Sequence, residues 1–268
     1  MDALKREWQN PAESGEIQAR IWDRAAEEYA NKPIPAFETD SLLRLLDEKH
    51  ILTPETKALD IGCGAGLYSI ALAGRVKSAV GVDISPLMAR YGSRRAESLG
   101  LSNVALSQLN WAEADIDRLG FRGAFDLVFA NMTPAINDYS GFEKMNLCSS
   151  AHCVMVKPTR RRDKIQDAAL ALIGITGQRE RFDDTVLNAF SYLWQSGCCP
   201  ELSYRKECWR PVKTLESMAA WCIDRAKLRR TLSAADEACV RDYLRSVSED
   251  GMIYETVDTT IVTMYWHI

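Results

Sequence analysis

A basic excess, a histidine cluster, paired cysteines and long apolar runs are all missing from this chain, and each absence removes a class of function. Lysine and arginine (33) are outnumbered by aspartate and glutamate (37), giving a formal charge of −4. A protein that coats nucleic acid would carry the opposite balance. There are three histidines, His50, His152 and His267, far apart, and the eight cysteines include no CxxC pair. That leaves no donor spacing for a zinc site. Without an export signal at its start, the chain is expected to be cytoplasmic with reduced thiols. No apolar run approaches the ~20 residues of a membrane span. Neither internal repeats nor a low-complexity linker divide the sequence. Hydrophobic residues make up 47% of the 268, enough for one large domain with room for a helical insert.

The most informative stretch is Lys57-Ala-Leu-Asp-Ile-Gly-Cys-Gly-Ala-Gly66. It reads as a short apolar strand running into glycines at 62, 64 and 66, followed by a helical run from Leu67 to Ala73. Glycine lets such a turn be tight and lets backbone approach a ligand, towards which the next helix points its first N–H groups. A second apolar run, Ser78 to Asp83, ends in an acid 23 positions after Asp60. A neighbouring parallel strand would end there, and a carboxylate at that point accepts hydrogen bonds from both hydroxyls of a ribose. The pattern indicates a nucleoside cofactor. Its spacing is G-x-G-x-G, not the G-x-G-x-x-G of dinucleotide folds.

Asp60-Ile-Gly-Cys-Gly-Ala-Gly66 together with Val82-Asp-Ile-Ser85 closely resembles the first two motifs of the class I S-adenosylmethionine-dependent methyltransferases. The resemblance extends over about residues 20–160. It implies an α/β Rossmann-like fold: a doubly wound, mostly parallel seven-stranded sheet with an antiparallel last strand, here with N-terminal helices and a helical insertion before that strand. It implies S-adenosyl-L-methionine as cofactor and S-adenosyl-L-homocysteine as product. The cofactor-binding residues it implies are Asp60, Gly62, Cys63, Gly64 and Gly66 in the loop, Asp83 and Ile84 after the second strand, Asn110 and Trp111 after the third, and Asn131 after the fourth. Ile84 would form an apolar wall for adenine, Asn110 would meet its amino group, and Trp111 would stack beside the ring or fill the core below it.

In chain order, residues 15–30 form a helix by the 3–4 spacing of Ile17, Ile21, Trp22, Ala25 and Tyr29. Pro33 and Pro35 end it, and Thr39 or Asp40 caps a second helix. Residues 1–50 are read as a helical lid, 55–175 as the cofactor-binding core, 177–250 as an accessory segment with a helical insertion, and 251–268 as the final strand. Ser85-Pro86 starts a helix as N-cap and first turn. Val104–Leu109, Phe125–Asn131 and Ala151–Lys157 are the third to fifth strands, and Pro158–Asp163 is expected as a loop at the ligand edge. Leu202–Trp209 and Thr259–Trp266 are strands by their alternation and β-branched content.

Ligands in open α/β sheets lie at the carboxyl edge of the strands, so the acceptor of the methyl group is expected beside Asn131-Met-Thr-Pro. The acceptor pocket is predicted to form from the helix around Trp22 and Tyr29, from the turn with Thr133, Pro134 and Tyr139, and from a segment running from Arg160 to Trp194 that carries Phe182, Phe190 and Tyr192. The turn lacks the N-P-P-Y or D-P-P-Y signature of enzymes that methylate exocyclic amines of bases. The acceptor is therefore expected to be a small molecule, with protein or RNA methylation, or a non-catalytic cofactor-binding partner, as alternatives. His152, Asp138, Tyr139 and Glu143 are titratable groups near the ligand edge, with no motif that singles one out as a base. His152 lies in an apolar strand and reads as a core histidine.

Overall fold

The computed structural model describes residues 1–9, 14–176 and 178–268, with backbone alone for 178–182. Five parallel strands form most of the sheet: β1 (Lys57–Ile61), β2 (Ser78–Asp83), β3 (Val104–Gln108), β4 (Phe125–Asn131) and β5 (Ser149–Asp163). After β6 (Glu201–Trp209) comes a separate two-stranded ribbon of β7 (Val212–Thr214) and β8 (Met252–Tyr254), then β9 (Val257–His267). The main sheet has the order β3-β2-β1-β4-β5-β9-β6, with β9 antiparallel to both its neighbours. This is a Rossmann-like sheet. The helices are α1 (Asp2–Glu7), α2 (Gly15–Ala30), α3 (Ser41–Glu48), α4 (Leu67–Leu72), α5 (Pro86–Ser98), α6 (Tyr139–Cys148), α7 (Lys164–Ala171), α8 (Gln178–Gln195), α9 (Leu215–Lys227) and α10 (Ala234–Ser246).

The central strands are apolar because both their faces are covered. On one face Leu59, Ile61, Val128, Ala130, Met155 and Trp266 pack with Phe142 and Met145 of α6, Leu193 of α8, and Trp8 beyond α1. On the other, Ala58, Leu127, Phe129 and Val156 pack with Leu42, Leu43 and Leu46 of α3 and Leu72 of α4. Each fully buried Val, Leu, Ile, Met or Phe among them contributes about 1.5–3 kcal/mol. A third core joins α7, α9, α10 and β8 through residues such as Leu170, Cys222, Val240 and Ile253.

One element differs from the sequence reading. β5 does not end at Lys157 but continues to Asp163, because β9 pairs with it as far as Arg162↔Asp258 and Asp163↔Val257. A register shift between Thr159 and Arg162, with Arg160 at φ 48°, absorbs the irregularity. Long-range pairing overrides the loop signal of Pro158 and the three arginines. The polar segment after residue 177 is helical as α8, which packs Ala189 and Leu193 against the sheet.

The N-terminal segment divides. α1 anchors to the core: Trp8 packs on Phe142, the tilted rings 5.4 Å apart, and donates its indole N–H to Asn137 O. α3, capped by Asp40 through Leu42 N and Leu43 N, lies against the opposite face. α2 alone runs along the ligand edge, held at its middle and its C-terminal end by α5 and its N-cap. Asp23 accepts from Ser85 Oγ (2.5 Å) and Leu87 N (3.2 Å), and Arg95 donates to Ala30 O and Lys32 O, both 2.8 Å.

Candidate active site

At the carboxyl ends of β1, β2 and β4, under α2, lies a cavity of about 740 Å³, within the range of roughly 300–1,000 Å³ typical of small-molecule sites. Its wall includes Gly62, Cys63, Gly64, Asp83, Ile84, Asn110, Trp111, Asn131, Thr133 and Pro134, with Trp22 and Tyr29 from α2. The topology brings these together because parallel strands end on one edge and the helices that follow them start there.

The three loop glycines do different things. A Cβ on Gly62 would lie 2.0 Å from Thr133 Oγ1, and one on Gly66 would lie 2.3 Å from Leu106 Cδ1, so both are small because protein packs against them. At Gly64 the nearest atom outside its chain neighbours is Met88 Sδ, 3.9 Å away, and the added carbon would enter the cavity. Gly64 is held from the other side, its N–H donating to Asp83 Oδ2 at 2.8 Å.

Asp83 is 8% exposed. Its second oxygen accepts from Ser85 N at 2.8 Å. Burial raises its pKa, while the hydrogen bonds from Ser85 and Gly64 oppose the rise. Ser85 caps α5 through Met88 N and donates to Asp23, so the acid at the end of β2 is tied through one residue to α2. At the other end of the cavity, Tyr68 in the first turn of α4 donates to Asp40 Oδ2 at 2.8 Å and meets the Asn131 side chain. Gly15, the first residue of α2, sits where a Cβ would be 2.9 Å from Asn110 Nδ2. Trp111 is buried in the core and donates to Gly141 O, with one edge on the cavity.

Four expected residues do not line this cavity. Gly66 caps α4 against Leu106. Asp60 lies behind the loop, 3% exposed, accepting from Ser69 Oγ. Tyr139 turns into the core, hydrogen-bonded to Glu143 and edge-on to Tyr192. Arg160 is carried away by the extension of β5, and its N–H donates to Asp183. The described α8 aromatics are also elsewhere. Tyr192 packs on Phe142, Phe190 stacks on Trp194 at the surface, and the Phe182 side chain lies outside the described residues. Of the titratable groups near the ligand edge, Asp138 reaches the cavity, while His152 pairs with Tyr265 nearer the start of β5. Sequence reasoning missed Gln18, Lys32, Pro33, Pro35 and Tyr68, all in the wall. For Tyr68 the available signal was its position in the first turn of the helix that follows the glycines.

Residues 52–169 match the family model described as "Methyltransferase domain". Over that stretch the chain carries a methyltransferase domain. Among relatives, 23S rRNA (uracil(1939)-C(5))-methyltransferase RlmD of Klebsiella pneumoniae is 37% identical over 78 residues, which span 29% of this chain and 18% of that protein. Among solved structures, protein BH2331 of Bacillus halodurans aligns with a TM-score of 0.53 at 16% identity, covering 85% of this chain and 99% of that one. A structure concerned with conversion of a disulfide bond into a thioacetal group during echinomycin biosynthesis aligns with a TM-score of 0.52 at 14% identity, covering 94% and 92%. The methyltransferase domain uses S-adenosylmethionine, and its residues fit that group. A buried acid with acceptor capacity ends β2, an apolar Ile84 follows it, and open space lies over Gly64.

Asp60 gives the domain a pH signature. Burial, offset by the Ser69 hydrogen bond and reinforced by Asp83, pushes its pKa up to about 7. Below that pH it is neutral, and as the pH rises through it a negative charge appears beside the cavity. A ligand carrying an ammonium group is therefore expected to bind more tightly at about pH 8 than at about pH 6. Calorimetry with S-adenosylhomocysteine at the two pH values checks this. In Asp60→Asn the difference should vanish.

Proposed function

We propose that this chain transfers the methyl group of S-adenosylmethionine to a small-molecule acceptor held between α2 and the β4–α6 turn. Asp83 accepts from the ribose hydroxyls, Ile84 and Asn110 flank the adenine, and Gly64 leaves room for the methionine portion. The bound cofactor supplies a methyl carbon already activated on a sulfonium. The protein's task is to hold the acceptor in line and to exclude water. Asn131, Thr133 and Pro134 face the point of transfer, and Trp22 and Tyr29 cover it.

One observation supports a small acceptor above the others: the ligand edge is roofed by α2, and the wall is aromatic and nearly free of cations. Lys32 is the one lysine or arginine lining the cavity among the described residues, beside Asp83, Glu113 and Asp138. An RNA backbone would call for several cations. Incubation with methyl-labelled donor and three separated pools, low-molecular-weight metabolites, RNA and protein, tests the reading. Label is expected in the metabolite pool. Label in RNA or protein, or tight donor binding with no transfer to any pool, would overturn it.

The roof is secured from outside by α9. Arg24 and Arg20 pair with the buried Asp224 at 2.5 and 3.4 Å, and Trp22 meets Trp221 edge-on. Both arginines are about half exposed, so the pairing is worth about 1 kcal/mol at most. Asp224→Ala is expected to leave the fold intact, to speed limited proteolysis within residues 10–35, and to weaken S-adenosylhomocysteine binding severalfold. Wild-type cleavage there should slow when the ligand is bound. Equal cleavage with and without ligand would detach α2 from the site.

A further inference from the structure

Beneath the β4–α6 turn lies a titratable side chain that the proposed function leaves unused. Lys157 is 2% exposed, and Nζ donates to two carbonyls of that turn, Thr133 O and Ile136 O, at 2.5 Å each. Among the described residues no charged group acts on it. The turn needs a clamp. Met132 adopts φ 56°, a left-handed conformation that costs a non-glycine residue of order 1–3 kcal/mol unless its surroundings impose it. The same residue donates its N–H to Val156 O, beside Lys157. Thr133, whose carbonyl Lys157 holds, is the side chain packed onto Gly62. Its hydroxyl also accepts from Ala135 N.

We propose that Lys157 is a positioning residue: from below the sheet edge it fixes the turn Asn131–Ile136, and through Thr133 it sets that turn against the glycine loop, so that the two walls of the cavity keep one spacing. Stability alone does not explain the choice. A buried, unpaired ammonium is costly, and an apolar side chain of similar length would avoid that cost. What an apolar side chain could not do is satisfy two buried carbonyls on the same turn. Burial as the sole cause holds the amine down at about 7, in keeping with a group kept here against its own solvation. The proposal rests on the reading of this cavity as the donor site, and its test separates the two.

Hydrogen exchange and calorimetry on the full chain are the measurements. In Lys157→Met the amides of residues 132, 133 and 135–138 should exchange about tenfold faster, while those of β1 and β4 keep their wild-type rates, and S-adenosylhomocysteine affinity should fall about tenfold. Lys157→Gln, which keeps a donor but reaches less far, should fall between and decides the matter if the methionine variant does not fold. Unchanged turn exchange, or a uniform loss of protection with unchanged affinity, would overturn the proposal. If the wild-type protein itself fails to bind S-adenosylhomocysteine, the donor reading fails, and the exchange pattern still decides the role of Lys157.

Discussion

Gly64→Ala is expected to abolish S-adenosylhomocysteine binding in a protein that remains folded, with affinity reduced more than about a hundredfold. The added methyl meets no protein atom closer than 3.9 Å, so the structure has no packing reason to reject it. The backbone there has φ 55°, which costs alanine about 1–2 kcal/mol, or a few degrees in Tm for a chain of this size. The methyl itself occupies space on the cavity side of the loop. Gly62→Ala is the control, because its Cβ would collide with Thr133, and there stability and binding should fall together. Calorimetry and thermal unfolding of the two variants separate them. A Gly64→Ala protein that binds normally would remove the glycine loop from the site.

Asp83→Asn should weaken S-adenosylhomocysteine binding about ten- to hundredfold, the effect of losing hydrogen bonds to a charged group worth about 1.5–3 kcal/mol. The carboxylate organises more than the cofactor. One oxygen holds Gly64 N and the other Ser85 N. An amide offers one acceptor where two donors converge, so one of these N–H groups loses its partner. Because Ser85 also bridges to Asp23 on α2, the variant should show faster proteolysis in α2 as well. Unchanged affinity in the folded variant would remove Asp83 from the cofactor site.

Much of this was legible in the sequence because it is local. The G-x-G-x-G loop, the acid after the second strand, Ser85-Pro86 as a helix start and the nearly unbroken apolar run of β4 each carry their own signal, and parallel topology places their ends together. The misreadings involve contacts distant in sequence. Pro158 and the arginines look like a loop until Val257–Ile261, about a hundred residues away, pairs with that stretch, and that pairing carries Arg160 away from the cavity. The sequence assigns the α8 aromatics to the acceptor pocket, but the surfaces that Phe190, Tyr192 and Trp194 cover are Phe142, Tyr139 and one another. The three glycines look alike in the motif, and only the neighbours supplied by Thr133 and Leu106 distinguish them from Gly64. Lys157 reads as the polar end of a strand. Its role depends on a turn more than twenty residues earlier.

The central claim is that one cavity, floored by the glycine loop and roofed by α2, holds S-adenosylmethionine beside the β4–α6 turn. A crystal structure with S-adenosylhomocysteine measures it directly. The account predicts ribose hydroxyls on Asp83, adenine between Ile84 and Asn110 beneath Gly15, and the sulfur directed towards Asn131–Pro134 with space beyond it. A ligand bound without contact to Asp83, or a sulfur pointing away from that turn, would contradict it.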